Sequence, residues 1–375
     1  MIILGIETSC DETSAAVLKK EGKTISILSN IIASSASLQA KYGGIIPEQA
    51  AREQLKSILP VITEALEQAK IKPENLDAIA VTYGPGLIGS LLVGTETAKV
   101  LSLIWNKPLI GVNHLLGHFY ANWIANDLSL PAPAKQSNQE TNPTQIASSL
   151  SAPRNDVPSF PCIGLLVSGG HTDLVLFQAH GKYEYLGGTR DDAAGECFDK
   201  SARLLGLPYP GGPEISKLAL TGDVSKIKLP SPLINSKDFD FSFSGLKTAV
   251  ANMIKEHPEA NKNDLSASIE EAIINVLVEK TVRAAKTYGI DQIIIAGGVA
   301  ANKKLTETLR KKAEVIARAI IFTPPPILCT DNGAMIAAAA FFLPADATHQ
   351  ALQAGQPETI NPDNLQANPN LSLVI

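Results

Sequence analysis

ILGIETSCDETSAAVL (residues 3–18) and CIGLLVSGGHTDLVLF (residues 162–177) are the two stretches on which the fold turns. Each reads as an apolar strand, a small polar turn and a second apolar strand. Laid over one another without a gap, they match Gly5 with Gly164, Ser9 with Ser168 and Thr13 with Thr172, at an offset of 159 residues. The shared pattern, more than the three identities, points to a duplicated unit. Amphipathic helical stretches are expected at 47–69, 89–105, 195–205, 244–256 and 264–288, with apolar strands at 77–81 and 292–295 and a further helix from Asn302. Strands alternating with helices in each half predict an α/β protein with its sheets covered on both faces.

The 375 residues suffice for two domains. Residues 126–159 are rich in Pro, Ser, Asn, Gln and Thr and read as a low-complexity linker or insertion. The expected division is therefore an N-terminal domain over 1–125, that insertion, a C-terminal domain over 160–345 whose last helix can pack back on the first domain, and a peripheral tail over 346–375. A formal net charge of -5 excludes a protein that is basic over its whole surface and coats nucleic acid or anionic membrane, but it leaves room for a local basic patch. Cys10, Cys162, Cys197 and Cys329 form no CxxC pair, so free thiols in a reducing cytoplasm are expected. The first residues lack the basic start of a secretion signal, and the apolar run Ala334–Leu343 is far short of the roughly 20 residues of a membrane span, so no membrane association is expected.

Three groups of residues offer chemistry. His114 and His118 are spaced i, i+4, so on a helix both rings project from one face and can share a metal; two unrelated helix histidines are the plainer reading. Asp331 lies just before a small-residue helix, either as a third ligand or as that helix's N-cap. Two imidazoles and a carboxylate with open positions suit Fe(II) and accept Zn(II). The glycine turns VSGGHT and AGGVAAN follow apolar strands, where backbone amides can cradle phosphate; no P-loop or GxGxxG fingerprint is present. In the first hairpin turn, Asp11 and Glu12 should face the cleft between the halves, as metal orienters or a general base. Most of the carboxylates of DDAAGECFDK are explained by a solvated helix start with favourable dipole interactions.

Taken in order, GIETSCDETSAAV, YGPGLIGSL, NHLLGHFYA, LLVSGGHT, DDAAGECFDK, YPGGP, FSFSGLKTAV, IIIAGGVAAN and CTDNGAMIA closely resemble the TsaD (YgjD, Gcp) family of tRNA N6-adenosine threonylcarbamoyltransferases. The resemblance implies duplicated RNase H-like domains of the actin, sugar-kinase and chaperone-ATPase type with a cleft between them. It implies acyl transfer from threonylcarbamoyl-AMP to N6 of the adenosine 3′ of the anticodon in tRNAs that read ANN codons. It also implies one divalent metal, Fe2+ or else Zn2+, on His114, His118 and Asp331, with substrate on Leu166, Val167, Ser168, Gly169, Gly170, Asp199, Gly212 and Asn302, and the partners TsaB and TsaE in a bacterial source. Ser216 stands where many relatives carry an acid near the nucleotide sugar.

Two other enzyme classes compete with this reading. A metallopeptidase is suggested by HxxxH, but the Glu of HExxH is missing. An ATPase or sugar kinase of the same fold is the second, and a scaffold without chemistry is a third possibility. Lys303, Lys304, Arg310, Lys311 and Lys312 form a basic run that is either an RNA contact or a solvated helix face.

Overall fold

A computed structural model describes residues 1–35, 38, 39, 42, 44–125, 157–343 and 361–374. Most of the expected insertion, residues 126–156, the last two residues of the expected C-terminal domain, 344–345, and the first part of the expected tail, 346–360, lie outside the described residues.

The first half runs β1 (Ile2–Glu7), β2 (Glu12–Glu21), β3 (Thr24–Ser34), α1 (Pro47–Ala69), β4 (Ala78–Gly84), α2 (Ile88–Trp105), β5 (Leu109–Asn113) and α3 (His114–Tyr120). The second begins with β6 (Cys162–Val167), β7 (Thr172–Ala179), β8 (Lys182–Gly188), α4 (Ala194–Leu204), α5 (Gly211–Ala219), α6 (Ser244–Glu256) and α7 (Lys262–Tyr288). It closes with β9 (Gln292–Ala296), α8 (Lys303–Lys312), β10 (Ile320–Phe322), α9 (Pro326–Cys329) and α10 (Gly333–Ala340). Among the described residues these strands make two five-stranded sheets, ordered β3-β2-β1-β4-β5 and β10-β9-β6-β7-β8. Read from the third strand of each half, the two orders are the same. In both, the first three strands are antiparallel and the last two join in parallel.

The duplication extends to the register. Ile3 pairs with Leu18 and Gly5 with Ala16, while Cys162 pairs with Phe177 and Gly164 with Val175, so both hairpins superpose at the 159-residue offset. The matched residues do corresponding work. A Cβ on Gly5 would lie 2.2 Å from Gly333 O, and one on Gly164 would lie 2.7 Å from the Phe119 ring, so each glycine admits a helix to its sheet. Ser9 O accepts Leu87 N at 2.8 Å, and Ser168 O accepts Gly195 N at 3.1 Å, each tying the hairpin turn to a following helix.

Helices α3 and α10 lie between the sheets. One apolar cluster joins Ile3, Leu18 and Ile110 of the first sheet to Cys162, Phe177 and Ile294 of the second through Leu115, Phe119, Met335 and Ile336. Helix α2 is 18 residues long with a mean hydropathy of 1.2, long and apolar enough to cross a membrane by those measures, but Leu91, Val93 and Ala98 on its inner face are buried in the protein. Residues 361–374, expected at the periphery, are instead built into the first half: Leu365 and Leu373 are buried, and Asn368 N donates to Tyr83 O at 2.7 Å. The place of a Gly84 Cβ is taken by Asn368 O. The polar composition of this segment concealed two apolar anchors and a backbone docked at the end of β4.

One polar group in the second sheet sets a pH dependence. Asp173 Oδ1 accepts the Tyr185 hydroxyl at 3.0 Å, while its Oδ2 is buried without a hydrogen bond. Burial raises this carboxyl to about 6, against the pull of the Tyr185 bond. The folded state therefore holds the proton more tightly than the unfolded chain, so stability falls as pH rises from about 4 to about 6. Asp173→Asn is expected to change little at pH 4 and to add about 1–3 kcal/mol at pH 7.5. Urea unfolding at both pH values measures the difference.

Candidate active site

The cleft is built at the carboxyl ends of the parallel strands, where open α/β sheets place their sites. It measures about 1380 Å³ and is lined on one side by Ser9–Glu12 and Pro85–Leu87 and on the other by Ser168–His171 and Gly298–Val299. The β1–β2 turn is held from behind: the buried Gln54 amide faces the carbonyl oxygens of Thr8, Cys10 and Glu12 at 2.9–3.2 Å, and Ser90 Oγ donates to Cys10 O at 3.1 Å. The opposite turn closes on itself through Ser168 N to His171 O at 2.8 Å and His171 N to Ser168 Oγ at 3.1 Å. A Cβ on Gly169 or Gly170 would meet nothing within 4 Å, so the turn leaves an open cradle.

His114 and His118 stand one turn apart on α3, which follows β5 directly and is capped by Asn113, whose Oδ1 accepts Leu115 N at 2.9 Å. Their rings lie 4.7 Å apart, nearly perpendicular. Asp331, on the short connection between α9 and α10, brings Oδ1 to 3.1 Å from His118 Nε2 and 3.6 Å from His114 Nε2. The N-cap of α10 is the neighbouring Asn332, whose Oδ1 accepts Met335 N at 3.0 Å. Asp331 is thereby free of the capping role that its position in the sequence allowed.

The ligand atoms of these three residues lie within 4.8 Å of one another. Among the described residues both His118 ring nitrogens are buried without a hydrogen bond, and Nε2, turned toward Asp331, is the one placed to meet an ion. The set is compatible with a single metal ion. Burial works against the charge on His114, yet Glu7 and Asp331 carry its pKa up to about 9, while burial holds His118 below its ordinary value. Asp331 is lowered to about 2 because His114 and His118 outweigh its own burial. His171, facing the same triad, is lowered to about 4 by burial and by the two histidine charges.

Other expected residues divide differently. Asp11 and Glu12 both line the cleft. Burial, then Asp331 and Asp11, raise Glu12 to about 10, a direction that a cation held by Asp331 would oppose. Leu166 and Val167 are buried within β6 and do not line the cleft, whereas Ser168, Gly169 and Gly170 do. Asp199 and Gly212 also line it; Asp199 Oδ1 accepts Gly211 N at 2.7 Å and holds the start of α5. Asn302 is heavily committed: Nδ2 donates to Ser216 Oγ at 3.0 Å and Glu270 Oε1 at 2.8 Å, while Oδ1 caps α8 at Leu305 N. Asp191 leaves the cleft altogether and accepts from Ser242, Phe243 and Ser244 at the start of α6. In the basic run, Lys304 and Lys312 are paired with Glu271 and Glu279 at 2.8 and 3.4 Å.

Residue-by-residue reading overlooked Glu7, Gln54 and His171. The contacts of Gln54 with the β1–β2 turn span 42 to 46 residues and that of Glu7 with His114 spans 107. His171 adjoins a glycine turn that was read for its backbone alone.

Duplicated five-stranded sheets with crossing helices, and a cleft between them holding a His-His-Asp set, define a two-lobed α/β protein of the actin and RNase H-like type. A search of solved structures agrees on the fold: HypF of T. kodakarensis aligns with a TM-score of 0.54 and 14% identity over 90% of this chain and 46% of that one. The chain belongs to the TsaD family, described as tRNA N6-adenosine threonylcarbamoyltransferase, whose model matches residues 26–135 and 145–338. Relatives bearing that name include proteins of Thermomicrobium roseum, 48% identical over 92% of both chains, and of Thermosipho melanesiensis, 46% identical over the whole of both.

Proposed function

We propose that this chain transfers the threonylcarbamoyl group from threonylcarbamoyl-AMP to N6 of the adenosine 3′ of the anticodon in tRNAs that read ANN codons. The observation that carries the reading is a one-metal donor set facing an open glycine cradle across one cleft, in a chain whose relatives are named for this transfer. The metallopeptidase and kinase alternatives are not favoured. The lobes are assigned to 1–125 and 160–345, and the site of action to the cytoplasm, where tRNA is modified.

In the transfer, the bond from the carbamoyl carbon to the phosphate oxygen breaks, AMP leaves, N6 bonds to that carbon, and N6 gives up a proton. The adenine amine is a weak nucleophile because its lone pair is delocalised, so positioning and oxyanion stabilisation dominate the barrier. The amides of Ser168–Gly170 and Gly298 are assigned to the AMP phosphate and Asp199 to the ribose, with Gly212 beside it. Asn302 reaches the nucleotide by releasing Ser216 or Glu270. Leu166 and Val167 act through the backbone position that they give the turn. Asp11 or Glu12, both lining the cleft, is assigned to accept the N6 proton. A divalent ion on His114, His118 and Asp331, assigned as Fe2+ with Zn2+ second, supplies Lewis-acid polarisation of a donor oxygen when bound.

Incubation with threonylcarbamoyl-AMP and unmodified tRNA, with and without TsaB and TsaE, tests the reading by mass spectrometry of the nucleosides. Modified adenosine is expected; none in any combination, or steady ATP turnover without tRNA, would overturn it. Gly170→Val is a sharper probe. The position has open space and no left-handed φ, so the melting temperature should hold, while the donor's Kd should rise about tenfold or more because the side chain fills the cradle. Calorimetry with a non-hydrolysable donor analogue reads both.

A further inference from the structure

We infer that Glu7 is a positioning residue for the metal centre, fixing which nitrogen of His114 is offered to the ion. The inference rests on reading His114, His118 and Asp331 as a metal site. Glu7 closes β1 and is fully buried. Its Oε1 accepts Ser9 N at 2.5 Å, and its Oε2 accepts Thr82 Oγ1 at 2.5 Å, so the carboxylate is clamped between β1 and β4 in one orientation. His114 Nδ1 lies 3.1 Å from that same Oε2.

A bare Nδ1 lone pair at this distance would face a carboxylate oxygen with no hydrogen between them. Nδ1 therefore carries the hydrogen and donates it, and Nε2, turned toward Asp331, is the nitrogen left with a lone pair for the ion. Ser9 Oγ is also 3.1 Å from Nδ1, but a carboxylate is the stronger acceptor of the single hydrogen. His118 has no such partner: its Nδ1 is buried and unbonded. The two histidines are thus unequal: His114 is locked in ring orientation and tautomer through Nδ1, whereas His118 meets a carboxylate only on its Nε2 side, at Asp331. Through Ser9 N, the same carboxylate ties the metal centre to the turn that carries Asp11.

The test is metal affinity, measured by chelator competition with Co(II) and Zn(II) on the full chain, with the Co(II) absorption spectrum as a second readout. Glu7→Gln keeps the shape and hydrogen-bond reach but loses the charge; about 10–100-fold weaker binding and an altered Co(II) spectrum are expected. Thr281→Val removes a hydroxyl of similar burial that bonds Leu277 O within α7, away from the site, and should leave affinity within about threefold, which separates positioning from packing. Equal affinity for Glu7→Gln and wild type, or equal loss in both variants, would overturn the inference. If Glu7→Gln does not fold, nitrogen NMR of the zinc-loaded wild type decides: hydrogen on His114 Nδ1 supports it, hydrogen on Nε2 sinks it. A wild type that binds neither ion refutes the metal site itself, a different failure.

Discussion

Asp331→Ala is expected to abolish stoichiometric metal binding and to cut threonylcarbamoyl transfer by about 100-fold to 1000-fold, while leaving the fold intact. The ligand set contains two imidazoles and a single carboxylate, so Asp331 supplies the charge that offsets a divalent ion. Its removal leaves two neutral donors, one of them stripped of the oxygen 3.1 Å from its Nε2. Folding should survive because the cap of α10 belongs to Asn332. Asn332→Ala is the converse control: it should cost about 1 kcal/mol of stability, the usual value of an N-cap, without removing a ligand. Metal content by elemental mass spectrometry, transfer by nucleoside analysis and thermal unfolding together separate the two. Full metal occupancy and activity in Asp331→Ala would refute the assignment of this site.

Gly5→Ala is expected to be strongly destabilising. A methyl there would lie 2.2 Å from Gly333 O and 2.7 Å from Ala337 N, and both are backbone atoms of α10 that no rotamer change can move aside. Helix α10 is buried along its whole length between the sheets, so it cannot retreat without opening the core. A loss of about 3 kcal/mol or more is expected, with a fall in melting temperature of about 10 °C. Metal binding should fail in parallel, because Asp331 precedes this helix by two residues. Gly245→Ala, where a Cβ meets nothing within 4 Å in α6, should be neutral or stabilising by up to about 1 kcal/mol. If Gly5→Ala melted like wild type, the backbone contact of β1 with α10 would be wrong.

Much of this was legible in the chain because it is local. The period of two in residues 3–18 and 162–177 made the hairpins visible, and the offset at which they align is the offset of their strand registers. The long amphipathic helices Pro47–Ala69 and Lys262–Tyr288 announced themselves by apolar spacing. Strands β3 and β8 escaped notice: many of their residues are only half-buried or exposed, so the alternation that marks a strand is blurred. The pair His114 and His118 was readable as one helix turn, since i, i+4 geometry depends on nothing outside the helix.

Sequence alone therefore determined the duplicated α/β plan, its main helices and the residue types able to hold a metal, all of which follow from periodicities within short segments. Tertiary structure decided which of two neighbours, Asp331 or Asn332, caps the helix and which turns to the histidines. It also decided that Glu7 stands behind His114, that burial and neighbouring carboxylates raise Glu12, and that residues 361–374 dock on β4. Those outcomes depend on burial and on charges brought together from chain positions up to hundreds of residues apart, and no local pattern encodes a dielectric environment or a contact across the core.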